Sequence, residues 1–234
     1  MNVLITGTSS GIGFGIAKEL LDRGEHVFGI SRHTNERLMQ FDNYMHLTQD
    51  ITEFRYCAVH VANFLKGTAH LDIVVLNSGI LNQIKGMRNT TVEEFQESMA
   101  VNVWGNKVVL DTAMDMCSID QVVGMSSGAA VSPTAGWNAY SISKAAFKML
   151  IEMYAEEHPE IHFSSVAPGL VDTAMQEYIS TLDPDEKFPV IERLQQAKGT
   201  DSMPGPEEAA PMLIDTFERV RKESSGTFTD VRKS

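Results

Sequence analysis

Residues 1–20 read MNVLITGTSSGIGFGIAKEL. A short apolar run ends at three closely spaced glycines, Gly7, Gly11 and Gly13, and a helical pattern follows them. In a strand–turn–helix unit of this kind, one glycine makes the turn, another lets the backbone approach a phosphate, and a third lets helix and strand pack closely. The amino end of the helix then presents N–H groups to the phosphate. The glycine spacing alone is compatible with a nucleotide site and with a purely structural turn.

Six further apolar runs of strand length follow, and helical patterns separate them. The seven runs cover residues 3–6, 26–31, 44–48, 71–78, 121–127, 161–168 and 226–231. The clearest helical patterns occupy residues 12–23, 91–116 and 138–157, the second opening with the capping-box spacing of Thr90 and Glu93. Several strands are apolar without alternation, which is typical of parallel strands covered on both faces. The alternation predicts one doubly wound, Rossmann-type α/β domain over residues 1–234, with a mostly parallel seven-stranded sheet flanked by helices.

Residues 174–205 do not follow this alternation of strands and helices. The stretch is polar, contains Met and Pro, and is either a disordered loop or a lid over a site; its length within a compact domain favours the lid. Met175, Tyr178 and Phe188 in the stretch, and Trp137 outside it, are candidate substrate contacts or ordinary packing residues.

The composition argues against several classes of partner. The chain has 234 residues, of which 43% are hydrophobic, and a formal net charge of −12. An acidic chain without clustered Lys and Arg is not expected to bind nucleic acid. Val3-Leu4-Ile5 is too short for a signal or a membrane span. Cys57 and Cys117 form neither a CxxC pair nor a zinc spacing. We expect a cytoplasmic protein with no membrane, nucleic-acid or metal partner.

A second chemical signal lies in the helical segment 138–157. Tyr140 and Lys144 are four residues apart, so they share a helical face. A nearby ammonium stabilises phenolate and lowers the pKa of a tyrosine from about 10 toward neutrality, which makes a general acid. The same spacing also occurs in surface pairs without function. Ser126 and Ser127 end the preceding strand, and Asn102 lies in an earlier helical segment.

Taken in this order along an alternating α/β chain, these elements resemble the short-chain dehydrogenase/reductase family over essentially the whole chain. The glycine-rich element is matched by Thr6, Gly7, Gly11, Ile12 and Gly13. A second element is matched in part by Leu76-Asn77-Ser78-Gly79, where Leu76 replaces an asparagine, and Pro168-Gly169 and Thr173 match a third. The catalytic set that the resemblance implies is Asn102, Ser127, Tyr140 and Lys144.

The resemblance implies hydride transfer between a nicotinamide cofactor and a small carbonyl or alcohol substrate. Tyr140 would donate the proton in reduction and accept it in oxidation, and Lys144 would lower its pKa and bind the nicotinamide ribose. Ser127 would orient the substrate oxygen, and Asn102 would hold a water in a proton relay. Oxidation of an alcohol with NAD, dehydration, epimerisation and a non-catalytic dinucleotide-binding regulator are the alternatives that the same fold allows.

The end of the second strand bears on the choice of cofactor. No acidic residue stands there to bind a ribose 2′-hydroxyl; the chain reads Ser31-Arg32-His33. Arg32 can pair with a 2′-phosphate, with Ser31 as a further donor, so NADP(H) is favoured and NAD(H) is possible. His33 and Arg37 are additional candidates. The full predicted cofactor set is Gly7, Ser9, Ser10, Gly11, Ile12, Gly13, Ser31, Arg32, Asp50, Ile51, Asn77, Ser78, Gly79, Tyr140, Lys144, Pro168, Gly169, Val171 and Thr173.

The two segments 91–116 and 138–157 carry more apolar residues than one sheet face needs. They include Phe95, Met99, Val103, Phe147, Leu150, Ile151 and Tyr154. Members of the family commonly pair these helices across a two-fold axis, so we expect a homodimer or a homotetramer built from it.

Overall fold

Seven strands form a single sheet in the computed structural model, which describes residues 1–233. The strands are β1 (Asn2–Thr6), β2 (His26–Ser31), β3 (Tyr44–Thr48), β4 (His70–Leu76), β5 (Ser118–Met125), β6 (His162–Ala167) and β7 (Thr227–Asp230). The α-helices are α1 (Gly11–Asp22), α2 (Phe54–Phe64), α3 (Val92–Met99), α4 (Asn106–Met116), α5 (Asn138–Glu157), α6 (Ala174–Ser180), α7 (Val190–Ala197) and α8 (Pro206–Val220). The strand order is β3-β2-β1-β4-β5-β6-β7 and every pairing is parallel, which confirms the predicted fold class.

The five inner strands, β1, β2, β4, β5 and β6, are largely buried on both faces, which explains their continuously apolar sequences. Val3, Leu4 and Ile5 of β1 are all fully buried. Because successive side chains of a strand point to opposite faces, Val3 and Ile5 join the layer of α1 and α8, whereas Leu4 joins the layer of α2, α4 and α5. A three-layer arrangement follows, with a helical layer on each side of the sheet.

The segment 91–116 is not one regular helix. A π-helical turn, Ala100–Gly105, separates α3 from α4. The predicted capping box is wrong by one residue: Thr91 Oγ1 accepts a hydrogen bond of 3.3 Å from the Glu94 backbone N–H, and the Glu94 carboxylate accepts one of 2.8 Å from the Thr91 N–H. Thr90 belongs to the preceding turn, where its hydroxyl donates to the Gly86 carbonyl oxygen at 3.3 Å.

The stretch 174–205 contains α6 and α7 and has its own small apolar core. Ile179, Leu194 and Met203 are buried together, and Trp137 packs against them from outside the stretch. The segment is therefore an ordered helical subdomain and not an irregular loop, and its role as a lid stays a proposal.

Within residues 1–233, no helix is both long enough and apolar enough to cross a membrane. Cys57 and Cys117 are buried free thiols. The cytoplasmic location stays a prediction.

Candidate active site

A cleft of about 730 Å³ opens at the carboxyl ends of the strands. It lies across the point where the strand order reverses, between β1 and β4, which is where open α/β sheets bind their ligands. Four strand ends supply its floor. They contribute Gly7 after β1, residues 77–79 after β4, residues 126–128 after β5 and residues 168–169 after β6. The topology thus gathers at one place the motifs that the sequence separates by more than 100 positions.

The glycine-rich turn has the form that a phosphate requires. Gly7 has φ +79°, a conformation that favours glycine. A Cβ on Gly13 would lie 2.3 Å from the Gly7 carbonyl oxygen and 2.5 Å from Asn77 Nδ2, so this glycine lets α1 approach the strand ends. Ser10, at the amino end of α1, makes no side-chain capping bond, and the first turn holds no acid. The helix N–H groups are therefore available to an anion, and the turn fits a dinucleotide pyrophosphate.

A buried polar network fixes the ends of β1 and β4 beside that turn. Thr6 Oγ1 accepts hydrogen bonds from the N–H groups of Asn77 at 2.8 Å and Ser78 at 3.0 Å, and donates to Asn106 Oδ1 at 2.9 Å. Asn106 Nδ2 donates to the Ser78 carbonyl oxygen at 2.9 Å. Leu76 itself is buried in the core. Asn106, which sequence reasoning missed, thus provides a side-chain amide that ties α4 to both strand ends.

Close packing of α5 on β5 places the tyrosine and lysine. A Cβ on Gly124 would lie 2.9 Å from side-chain atoms of Phe147 and of Ile151, so the missing side chain lets α5 approach the strand. This close approach of α5 to β5 lets Lys144 Nζ donate a hydrogen bond of 2.8 Å to the carbonyl oxygen of Met125. Lys144 is buried, and its burial lowers its pKa to about 8.

Tyr140 lies one helical turn before Lys144 and also lines the cleft. Burial raises the pKa of Tyr140, and a hydrogen bond with Ser127 acts in the opposite direction. The expected lowering by Lys144 is therefore wrong for this structure, because desolvation dominates and the Lys144 ammonium is bonded to a carbonyl, 5.9 Å from the centre of the tyrosine ring. Trp137 stands beside Tyr140, with ring centres 5.4 Å apart, and lines the same cleft.

Asn102 lies in the π-helical turn, fully buried behind the cleft wall. Its Oδ1 accepts from the Ile80 N–H at 2.7 Å, and its Nδ2 donates to the Ile80 carbonyl oxygen at 3.1 Å and to Ser143 Oγ at 2.8 Å. A Cβ on Gly79 would lie 3.3 Å from Asn102 Oδ1 and 3.4 Å from Lys144 Nζ. The amide is thus engaged by protein partners and fixes the chain after β4 next to Lys144. Its water-holding role stays a prediction.

The basic residues after β2 have different surroundings. Arg32 is exposed at the cleft, and within residues 1–233 no hydrogen bond or ion pair engages its side chain. Arg37, by contrast, is bound by both carboxylate oxygens of Glu207, at 2.7 and 2.8 Å. Ser31 also lines the cleft, but its hydroxyl donates to the His33 carbonyl oxygen at 2.8 Å. The donation from Ser31 to a phosphate stays a prediction.

Most of the predicted site residues meet in this cleft. Those on its surface are Gly7, Ser9, Ser10, Ile12, Ser31, Arg32, Asp50, Ile51, Asn77, Ser78, Gly79, Ser127, Tyr140, Lys144, Pro168, Gly169, Val171 and Thr173. The predicted residues outside its lining are Gly11, Gly13 and Asn102, with the further candidates His33, Arg37, Tyr178 and Phe188. Sequence reasoning missed Gly128, Asp230 and Arg232, which line the cleft and carry no motif.

Comparison with known proteins agrees with this geometry. A family model described as short chain dehydrogenase matches residues 1–183. A benzil reductase of Saccharomyces cerevisiae that forms (S)-benzoin is 29% identical over 230 residues, which cover 90% of this chain and 88% of that protein. The chain therefore belongs to the short-chain dehydrogenase family and is a dehydrogenase or reductase that uses a nicotinamide dinucleotide.

Solved structures share the fold over nearly the whole chain. A short-chain dehydrogenase/reductase from Saccharomyces cerevisiae superposes with a TM-score of 0.87 and 24% identity, over 98% of this chain and 95% of that one. ElxO, solved with NADP bound, superposes with a TM-score of 0.81 and 22% identity, over 98% of this chain and 96% of that one. At these identities the likeness shows the fold.

Proposed function

We propose that this protein reduces a carbonyl compound with NADPH and that Tyr140 is the general acid. The observation that carries the proposal is the hydrogen bond between the buried Tyr140 and the half-buried Ser127, with Lys144 nearby, in the same cleft as the glycine-rich turn and Arg32. One cleft then holds the reacting groups and the dinucleotide together.

The chain's own residues perform the proton transfer. A bound reduced nicotinamide supplies the hydride. The Ser127 hydroxyl orients the substrate carbonyl oxygen, and the Tyr140 phenol donates its proton to that oxygen as negative charge develops on it. Burial holds the pKa of Tyr140 above its ordinary value, so the phenol carries the proton that reduction requires. Proton donation leaves a Tyr140 phenolate. Lys144, charged below a pKa of about 8, lies 5.9 Å from the centre of the Tyr140 ring and would bind the nicotinamide ribose. In oxidation the same phenolate accepts the proton.

The preference for NADP(H) rests on Arg32. Its exposed guanidinium stands at the cleft, where it lowers the pKa of Asp50, no acid ends β2, and a planar fork of donors suits a 2′-phosphate. Arg37 is already bound to Glu207 and contributes less. The NADP bound by ElxO, and the carbonyl reduction named for the yeast benzil reductase, are consistent with this assignment.

We further propose that α6 and α7 form a lid at the substrate end of the cleft. Met175 of α6 and Leu194 of α7 line the cleft, while Tyr178 and Phe188 pack inside the subdomain. Apolar side chains at this end suit an apolar or amphipathic carbonyl compound.

The assembly we propose is a homodimer through α5, or a tetramer built from it. The apolar residues expected at this interface are in large part core residues of one chain, because Phe147, Ile151 and Val103 are buried. The face that remains exposed carries Ile142, Met149 and Met153, at spacings that share one side of a helix.

A panel of carbonyl compounds, assayed with NADPH and with NADH at the nicotinamide absorbance, tests the function. Tyr140→Phe keeps the ring and removes the hydroxyl, so turnover should fall about 10²- to 10⁴-fold while NADPH affinity stays unchanged. Tyr154→Phe is the matched control, because Tyr154 lies on the same helix and bonds to Asp111, outside the cleft. Near-full activity in Tyr140→Phe would overturn the mechanism.

A further inference from the structure

The segment 32–36, which directly follows β2, carries Arg32 at the cleft. Every residue of the segment is exposed except Asn35, which is half-buried. Within the described residues 1–233, Asn35 is also the only member of the segment whose side chain makes a hydrogen bond. Asn35 is therefore the residue whose side chain attaches the segment to its surroundings.

The Asn35 amide joins the segment to the glycine-rich turn. Its Nδ2 donates a hydrogen bond of 3.0 Å to the Ser9 carbonyl oxygen, and its Oδ1 accepts one of 3.0 Å from the Arg37 N–H. A carbonyl only accepts and an N–H only donates, so the two partners determine the orientation of the amide. The second bond closes a turn of the kind in which asparagine binds the backbone two residues further on. One amide thus fixes both the shape of the segment and its distance from Ser9, which lines the cleft.

The other contacts of the segment do not replace this amide. The Ser31 hydroxyl donates to the His33 carbonyl oxygen at 2.8 Å, which fixes only the start of the segment. Asp50 attracts Arg32 electrostatically, but no ion pair holds the guanidinium within the part of the chain that the structure describes. Among residues 1–233, Asn35 alone hydrogen-bonds the segment to the glycine-rich turn.

The glycine-rich turn, by contrast, does not depend on the Asn35 bond. The Gly7 N–H donates to a carbonyl oxygen of β2 at 2.7 Å, and the buried Thr8 hydroxyl forms a hydrogen bond of 2.9 Å with the hydroxyl of Tyr44. These contacts hold the turn beside β2 and β3. Loss of the Asn35 amide therefore leaves the proposed pyrophosphate site in place and releases the segment 32–36.

We infer that Asn35 is a positioning residue, which orders the segment 32–36 so that Arg32 meets the 2′-phosphate of NADP(H). The inference rests on the proposed preference for this cofactor. A segment that is ordered before binding loses less conformational entropy when the phosphate binds. NADH carries a hydroxyl in place of the phosphate and gains little from Arg32. Asn35 should therefore contribute to the selectivity between the two nucleotides and little to the binding of the parts that they share.

The test is calorimetric titration of NADPH and of NADH into the wild type and Asn35→Ala. The ratio of NADPH affinity to NADH affinity should fall about 2- to 10-fold in the variant, the range that loss of one hydrogen bond gives, while NADH affinity stays unchanged. Asn43→Ala is the matched control, because Asn43 is likewise half-buried and donates to a backbone carbonyl oxygen, that of Glu25, outside the cleft lining. The melting temperature of each variant checks its folding.

A double-mutant cycle with Arg32→Ala separates positioning from a general effect on the site. If Asn35 acts by placing the guanidinium, Asn35→Ala should no longer change the affinity ratio once Arg32 is an alanine. An effect that does not pass through Arg32 would appear in both backgrounds.

The outcomes distinguish this inference from the proposed function. If the wild type prefers NADPH but Asn35→Ala keeps the wild-type ratio, or lowers it equally with and without Arg32, the inference is overturned and the cofactor preference stands. If the wild type binds both nucleotides equally, the preference fails and the inference fails with it. If no carbonyl compound is reduced but the ratio falls through Arg32 as expected, the proposed reaction fails and the inference is supported.

Discussion

Lys144 Nζ donates a hydrogen bond of 2.8 Å to the carbonyl oxygen of Met125, the last residue of β5. This bond ties the helix that carries Tyr140 to the strand that leads into Ser127, and so helps to position the proposed acid and the proposed oxygen-binding hydroxyl. The lysine is buried, and its pKa is lowered to about 8. A buried ammonium of this kind costs stability whenever it is charged.

The stability of the protein should therefore depend on pH through Lys144. Its pKa is about 8 in the folded protein and 10.5 for an unperturbed lysine side chain, so between these values the unfolded state binds more protons. The free energy of unfolding then rises with pH across this window, by up to about 3 kcal/mol from this group. Denaturant unfolding at several pH values should show that Lys144→Met lacks this rise. Lys148→Met, which removes a lysine paired with Glu152 on the same helix, should retain it. Parallel pH profiles for wild type and Lys144→Met would argue against a destabilised ammonium.

Replacing Arg32 should change the choice of cofactor. Arg32→Asp removes the pairing partner of a 2′-phosphate and adds repulsion, so NADPH affinity should fall at least about 10- to 100-fold. NADH affinity should change much less. Arg37→Gln is the control, because Arg37 is bound to Glu207. Fluorescence titration of both nucleotides measures the effect. If the wild type binds NADH and NADPH equally well, and Arg32→Asp changes neither affinity, the proposed preference for NADP(H) is wrong.

The third glycine of the opening motif should be intolerant of a methyl group. In Gly13→Ala the new Cβ would lie 2.3 Å from the Gly7 carbonyl oxygen, a backbone atom that cannot move without disturbing the turn. Overpacking of this kind costs about 1–3 kcal/mol, and the displaced turn should also lose affinity for the dinucleotide. Gly86→Ala is a matched control, because nothing lies within 4 Å of its added Cβ. Thermal melting and NADPH titration of both variants are the measurements; a Gly13→Ala protein that melts and binds as the wild type does would refute the packing role.

The fold was predictable because local pattern and topology agree. Each of the seven apolar runs overlaps a strand, and the five inner strands, which are largely buried on both faces, need continuous apolar sequence. The glycine-rich turn was predictable for a similar reason. The backbone packs so closely at Gly13 that no side chain fits there, so only glycine can occupy the position and its presence in the sequence reveals the contact. Tyr140 and Lys144 needed only helical spacing to be placed together on α5.

Features that depend on contacts across the chain were not predictable. The capping box begins at Thr91 and not at Thr90, although both are threonines. The Thr90 hydroxyl instead donates a hydrogen bond to the Gly86 carbonyl oxygen in the preceding turn. The pKa of Tyr140 depends on burial that spacing does not report. Arg232 meets Gly128 only because β7 lies beside β6, and no local pattern encodes that neighbour.

The exposed face of α5 should govern assembly. Met149 and Met153 are 57% and 54% exposed on one side of this helix, whereas Phe147 and Ile151 on its other side are buried in the core. An exposed apolar stripe of this kind commonly marks an interface, and a two-fold axis through it would bring the stripe against its own copy. We therefore expect a dimer, or a tetramer containing it, in light scattering at micromolar concentration.

Met149→Glu together with Met153→Glu should give a folded monomer, because two like charges per chain would face each other across the axis. Met39→Glu, at an equally exposed methionine far from α5 in the sequence, should leave the mass unchanged. A wild-type monomer, or a double variant that keeps the wild-type mass, would rule out this interface.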